Sequence, residues 1–221
     1  VDQLGIRFIS PGMMTAIGAM SHLDAYIKAE AFGLRPSGRP ILLVKPGQSI
    51  HNPHYLNYWR PYITVISDPD TVESLLPLVR YLEDEVHWGW MCGKQFLYHP
   101  SSTALIFRQW EDEKRPPLLT LSREDYERGW KRLNQMGVPN GAWFVCLHVR
   151  EAGFKDGMSS QSAYRNADID TYRLAIENIV TRGGWVIRLG DPTMKPLPGM
   201  KHVIDYAHSE LRSDWMDVFL G

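Results

Sequence analysis

Trp143-Phe-Val-Cys-Leu-His148-Val-Arg150-Glu151 is an unbroken apolar run that ends in a histidine and an arginine. An apolar run of this length without polar alternation reads as a strand of a parallel sheet covered on both faces. Such sheets bind ligands beyond the carboxyl ends of their strands, where His148 and Arg150 fall. The two residues are two apart and share a face.

The surroundings repeat the pattern of strand, connection, helix and strand. Residues 150–169 read as a long connection, 170–182 as a helix, Gly183-Gly184 as its stop and Trp185-Val-Ile-Arg-Leu189 as the next strand, with a third expected over 200–204. Asp168 and Asp170 both suit an N-cap, and Ser213 suits the cap of a last helix. Upstream, Ser122-Arg-Glu-Asp125 has capping-box spacing and opens a helix to about residue 136, with Tyr126, Trp130 and Leu133 along one stripe. Gly137-Val-Pro-Asn-Gly141 breaks that helix, which places a domain boundary near residue 138.

The first half opens on Gly5-Ile-Arg-Phe-Ile-Ser10, a strand, followed by a loop with Pro11, Gly12 and Gly18 and a helix over 19–32. Pro40-Ile-Leu-Leu-Val44 is the second strand, so the unit is βαβ with parallel pairing and a right-handed crossover. Tyr62-Ile-Thr-Val-Ile66 reads as a strand, 70–85 as a helix and Thr103-Ala-Leu-Ile-Phe107 as another strand. An α/β fold follows. The aromatic groups Tyr55, Tyr58, Trp59 and Trp88, Trp90 suit either an acceptor surface or core filling, and core filling is the plainer reading.

Composition bounds the function classes. With 221 residues, 44% hydrophobic and 22% charged, the chain is of ordinary globular type, and its formal charge of −1 gives no general attraction to nucleic acid or anionic lipid. Any anion site is therefore local. Two cysteines, Cys92 and Cys146, are too few for a disulfide framework, which points to a reducing compartment. No run approaches the roughly 20 apolar residues of a membrane span, and a cytoplasmic location is expected, at a membrane surface or away from it. The chain starts without methionine and stops on the apolar segment Trp215-Met-Asp-Val-Phe-Leu-Gly221, and a piece of a longer protein is expected.

Chemistry concentrates in the connection after Arg150, which holds Lys155, Asp156, Tyr164, Arg165, Asn166 and Asp168. Long connections of this kind are usually functional. A guanidinium at a strand end, facing a helix amino terminus, suits an anionic group such as a diphosphate. Gly190-Asp191-Pro192 adds a turn and a carboxylate on the same rim, although Asp191 also suits a plain turn residue before proline. His148 suits either a hydrogen-bonded core position or the site. Neither a dinucleotide glycine fingerprint, a P-loop nor a nucleophilic serine elbow is present in the sequence. His51 and His54 are three apart, but the intervening Asn-Pro breaks a helix and no partner stands at ligand spacing, so neither a metal nor a cofactor is expected.

Cys146-Leu-His-Val-Arg-Glu151, Tyr164-Arg-Asn-Ala-Asp168 and Gly184-Trp-Val-Ile-Arg-Leu-Gly-Asp-Pro192 together resemble a family of bacterial glycosyltransferases found with surface-polysaccharide genes. The first block is also similar to the His-x-Arg motif of the GDP-fucose-using fucosyltransferases. The resemblance covers roughly residues 140–221, and more loosely 12–24. It implies a GT-B architecture of two Rossmann-like parallel-sheet domains, over 1–137 on the acceptor side and over 138–221 on the nucleotide-sugar side, facing across a cleft. It implies that Arg150 contacts the donor diphosphate and that His148 supports it. It also implies a further strand and a glycine-containing turn after residue 221, leaving the second domain incomplete here.

The activity expected is metal-independent transfer of a sugar, from a nucleotide diphosphate sugar that the fucosyltransferase motif suggests is GDP-linked, to a hydroxyl acceptor in surface-glycan synthesis. Arg150 is the first choice for stabilising the leaving phosphate, Arg165 the second and Lys155 a weaker third. Tyr164, Asn166, Gly190 and Asp191 complete the expected binding set. Glu151, Asp168 and, from the first helix, His22 and Asp24 are the candidate bases, the last two serving equally as solvated polar positions. Two rivals remain: a nucleotide-sugar epimerase or hydrolase, and a non-catalytic nucleotide-sugar-binding or assembly module.

Overall fold

A computed structural model describes residues 5–221 apart from 16, 36, 83, 84, 87, 88, 93 and 152–159. Lys155 and Asp156, named above, lie outside the described residues, as does Trp88. The chain divides into two compact units, Val1–Thr120 and Leu121–Gly221.

In the first unit the short strands β1 (Arg7–Ile9), β2 (Pro40–Leu43) and β3 (Thr64–Ile66) form a parallel sheet in that order. Helix α1 (Ile17–Ala31) crosses from β1 to β2, with α2 (Pro53–Trp59) and α3 (Pro69–Leu82) following. A small antiparallel sheet of β4 (Glu85–Val86), β5 (Gly89–Cys92) and β6 (Gln95–Tyr98) then leads into α4 (His99–Asp112). The core gathers Ile9, Met14, Met20, Leu23, Tyr26, Leu42, Trp59 and Ile106.

Two expectations fail in this half. The segment 103–107 is part of α4 and not a strand. Its burial shows why: Ser102, Thr103 and Ile106 are buried while Ala104 and Leu105 are exposed, the three-and-four spacing of a helix. Five apolar residues in a row cannot be assigned by periodicity alone. Glu85, expected at the end of the third helix, pairs instead with Trp90 across the small sheet. The aromatic group around Trp59 is core: Trp59 is 0% exposed, and Tyr55 and Tyr62 meet its ring edge-on at 6.1 and 6.0 Å.

The second unit begins with α5 (Arg123–Gln135), whose N-cap Ser122 accepts a hydrogen bond from the Asp125 amide at 3.1 Å. The parallel strands β7 (Phe144–His148), β8 (Trp185–Leu189) and β9 (Val203–Ile204) follow, in that order across the sheet, with α6 (Arg173–Thr181) joining the first two. A 3-10 turn, Ile169–Tyr172, precedes α6, and α7 (Asp214–Leu220) closes the unit. Sequence reasoning put the boundary at residue 138, after α5, yet α5 groups with the second unit. The reason is its apolar stripe, because Leu133 and Trp130 pack in one cluster with Ile187, Tyr206, Met216 and Phe219. The terminal apolar segment is thus packed through α7 on this core. Gly129 permits that approach: a Cβ there would lie 2.1 Å from the Phe219 ring.

The fold is α/β, with a three-stranded parallel sheet in each unit. No described helix is long and apolar enough to cross a membrane.

Candidate functional site

Register decides what meets at the carboxyl ends of the second sheet. His148 pairs with Leu189, and Ile187 with Ile204. The residues that leave the three strands on one rim are therefore Arg150 and Glu151 after β7, Gly190 and Asp191 after β8, and Asp205 after β9.

Beneath that rim is an arginine that sequence reasoning did not single out. Arg188, in β8, is 0% exposed. A buried guanidinium is costly unless it is paired and hydrogen-bonded, and Arg188 is: Nη2 donates to Glu151 Oε2 at 2.5 Å and Nη1 to Asp205 Oδ1 at 3.1 Å. Its Nε is buried with no hydrogen-bond partner among the described residues. Asp205 carries the network further. Its Oδ2 accepts from the Leu197 amide at 2.8 Å and lies 2.8 Å from His208 Nδ1, while His208 Nε2 faces the carbonyls of Pro192 and Met194 at 3.1 and 3.0 Å. The 192–197 segment is thereby held to the end of β9.

Around this frame the expected residues divide. His148 is exposed at the end of β7, not in the core, and Arg150 is half-buried just beyond it, with its carbonyl accepting from the Ala167 amide at 2.8 Å. That bond draws the far end of the long connection back to the strand end. Asn166 is half-buried, and its Oδ1 has no hydrogen-bond partner among the described residues. Tyr164 is 84% exposed and Arg165 is exposed at the end of the 3-10 turn Ser160–Arg165. Asp168 caps the next turn, taking the Asp170 amide at 3.0 Å on Oδ1. Lys195, which sequence reasoning also missed, pairs with Asp170, and the carboxylates of Asp170, Asp168 and Glu151 raise its pKa, led by the Asp170 hydrogen bond.

One expected role changes with the geometry, and two turn residues are defined by it. Glu151 is 7% exposed and committed to Arg188, so its carboxylate is a structural partner and a poor candidate for taking a proton from an acceptor. Asp191 is a turn residue as the plainer reading had it, its Oδ1 accepting from the Thr193 amide at 3.0 Å and the Thr193 hydroxyl at 2.8 Å. Gly190 adopts φ +147°, and a Cβ on it would lie 2.6 Å from Met194 Sδ, so the turn needs glycine. Its carbonyl accepts from Arg212 Nη1 at 3.2 Å, which adds a further cation to the rim.

In the first unit His22 and Asp24 are turned to local partners. His22 Nδ1 lies 3.4 Å from the Thr103 hydroxyl, joining α1 to α4, and Asp24 forms an ion pair with Lys28 at 2.6 Å. Lys28 also lies 4.7 Å above the Phe107 ring.

Neither of two surface grooves in the second unit is lined by Arg150. One of about 450 Å³ is lined by Tyr126, Trp130, Asn134 and Asn140, before β7 begins and so at the opposite end of the strand from Arg150. Another of about 300 Å³ lies between Ile169, Asp170 and Arg173 on one side and Leu197, Pro198 and Met200 on the other. The second is the more relevant, because Asp170 and Leu197 both belong to the hydrogen-bonded margin of the rim. Among the described residues no group of three or more His, Cys, Asp or Glu is placed to hold a metal ion.

The residues missed by sequence reasoning had one available signal. Arg188 interrupts an apolar strand, and a charge in that position requires carboxylates at the neighbouring strand ends. Glu151 and Asp205 are those carboxylates. Comparison with protein-family models, with curated proteins and with solved structures finds no match to this chain.

Proposed function

We propose that this chain is part of a glycosyltransferase of GT-B type, transferring a sugar from a nucleotide diphosphate sugar to a hydroxyl acceptor in surface-glycan synthesis. The observation that carries the reading is Arg150: a half-buried residue just past the end of β7, tied at its carbonyl to the Ala167 amide, which follows Asn166, whose buried amide oxygen has no hydrogen-bond partner among the described residues. Two small Rossmann-like parallel sheets support it, as does Arg212, which donates to the Gly190 carbonyl at the end of the next strand.

In this reading the bond between the anomeric carbon and the diphosphate oxygen breaks, and the acceptor oxygen bonds to that carbon. The leaving diphosphate gains negative charge as it departs. A fixed guanidinium stabilises that charge more in the transition state than in the ground state, which is the condition for a rate effect. Arg150 serves this role, with Arg165 and Lys195 as further contacts and His148 as support. The acceptor proton passes to a base, and Asp168 is the candidate in this unit, since Glu151 is occupied by Arg188.

A thermal-shift screen of GDP-, UDP-, CMP- and dTDP-sugars tests the reading, followed by product analysis by mass spectrometry with and without sugar acceptors. Stabilisation by one nucleotide class, lost in Arg150→Ala, supports it. Product formed without an acceptor would indicate the epimerase or hydrolase instead, and binding without turnover across a broad acceptor panel would indicate the assembly module.

A further inference from the structure

We propose that Arg188 is a positioning residue for the anion site, acting from beneath the rim through Glu151 and Asp205. The inference rests on the reading of Arg150 as the diphosphate contact. Arg188 is fully buried and offers no surface to a ligand, so any effect it has on binding is indirect.

Its geometry specifies that effect. One guanidinium fork spans two strand ends: Glu151, adjacent in sequence to Arg150, on one side and Asp205 on the other. Asp205 in turn fixes the Leu197 amide and His208, and His208 faces the Pro192 and Met194 carbonyls. Both segments flanking the candidate phosphate position, 149–151 and 192–197, are therefore referred to the same side chain. The planar fork meets each carboxylate with a separate nitrogen, whereas an ammonium would have to reach both from a single one.

Charge gives a second effect. Without Arg188, Glu151 and Asp205 would place two uncompensated carboxylates below a site meant for a polyanion, and in a partly buried setting that repulsion is weakly screened. Stability alone is a poor account of this arrangement. Buried ion pairs are often no better than well-packed apolar side chains, and here Arg188 also leaves its Nε without a hydrogen-bond partner among the described residues.

A double-mutant cycle tests the proposal, using calorimetric titration of the full chain with GDP, UDP and inorganic pyrophosphate as probes. Arg188→Lys is expected to weaken diphosphate binding by about tenfold or more, the equivalent of one lost charge-assisted hydrogen bond. In the Arg150→Ala background its effect is expected to be markedly smaller, because the part that Arg188 exerts on Arg150 through Glu151 is then gone. A general structural role would not produce that coupling. Melting and circular dichroism establish that each variant is folded, and Asp205→Asn, which keeps an acceptor for the Leu197 amide, replaces Arg188→Lys in the cycle if the latter does not fold; weaker diphosphate binding despite the loss of one negative charge is then the expected result. Equal losses in both backgrounds would overturn the positioning role and leave Arg150 as the contact. Unchanged binding in Arg150→Ala, or no binding by the unaltered chain, would overturn the reading beneath it.

Discussion

Gly129→Ala should destabilise the second unit, against the ordinary preference for alanine in a helix. In an open helix interior the change gains about 1 kcal/mol. At Gly129 an added Cβ would lie 2.1 to 2.3 Å from three ring carbons of Phe219, including Cγ at the base of the ring. Carbon atoms pack at about 3.5–4.0 Å, so rotation of the ring about its own axis does not relieve the contact. The ring, and α7 with it, must move by more than 1 Å, in a cluster that also holds Leu133, Ile187 and Met216. Overpacking of this kind costs about 1–3 kcal/mol, which exceeds the propensity gain over most of its range. A net loss of about 1 kcal/mol is expected, equivalent to about 4–8 °C in Tm for a unit of this size. Thermal and urea unfolding followed by tryptophan fluorescence would measure it. In a Phe219→Ala background the same substitution should be neutral or stabilising. A Gly129→Ala variant as stable as the parent would show that α5 and α7 do not pack in this way.

Two further outcomes check the local chemistry. Ser122→Ala removes the side-chain acceptor for the Asp125 amide and should cost about 1 kcal/mol in urea unfolding; a loss below a few tenths would mean the cap is not formed. Burial pushes the Cys146 thiol from 9.0 up to about 11, so folding favours its protonated form. The unfolded chain then binds fewer protons over that interval, and this contribution to stability is intact below about pH 9 and declines as pH rises towards about 11. Cys146→Ala should flatten that decline, and an identical alkaline profile in the variant would refute the assignment.

Much of the fold was legible because the signals were local and redundant. The apolar run ending at His148, the glycine pair before Trp185 and the serine cap at 122 each define an element without tertiary information. Residues 103–107 were not legible, since a five-residue apolar run has no resolvable period. The expected boundary near residue 138 and the division into compact units at Leu121 differ for a related reason: the Gly-Val-Pro-Asn-Gly break is a turn, but the stripe through Trp130 and Leu133 does not say which sheet it covers. At the site, pattern located Arg150 and its neighbours at a strand end. It could not show that Glu151 points inward to Arg188, because that depends on the register of β7, β8 and β9. Asp205 was invisible for the same reason, lying 17 residues from Arg188 in sequence and within hydrogen-bond distance in space.

Contact between Arg150 and a donor diphosphate is measurable in a single comparison. Calorimetric titration of the full chain and of Arg150→Ala, with the nucleotide diphosphate sugar that gives the largest thermal shift, measures the contribution of that guanidinium. Saturable binding by the unaltered protein is expected, with a loss of at least about 1.5–3 kcal/mol in the variant, the range for a charged hydrogen bond. Equal affinity in two equally folded proteins would contradict it.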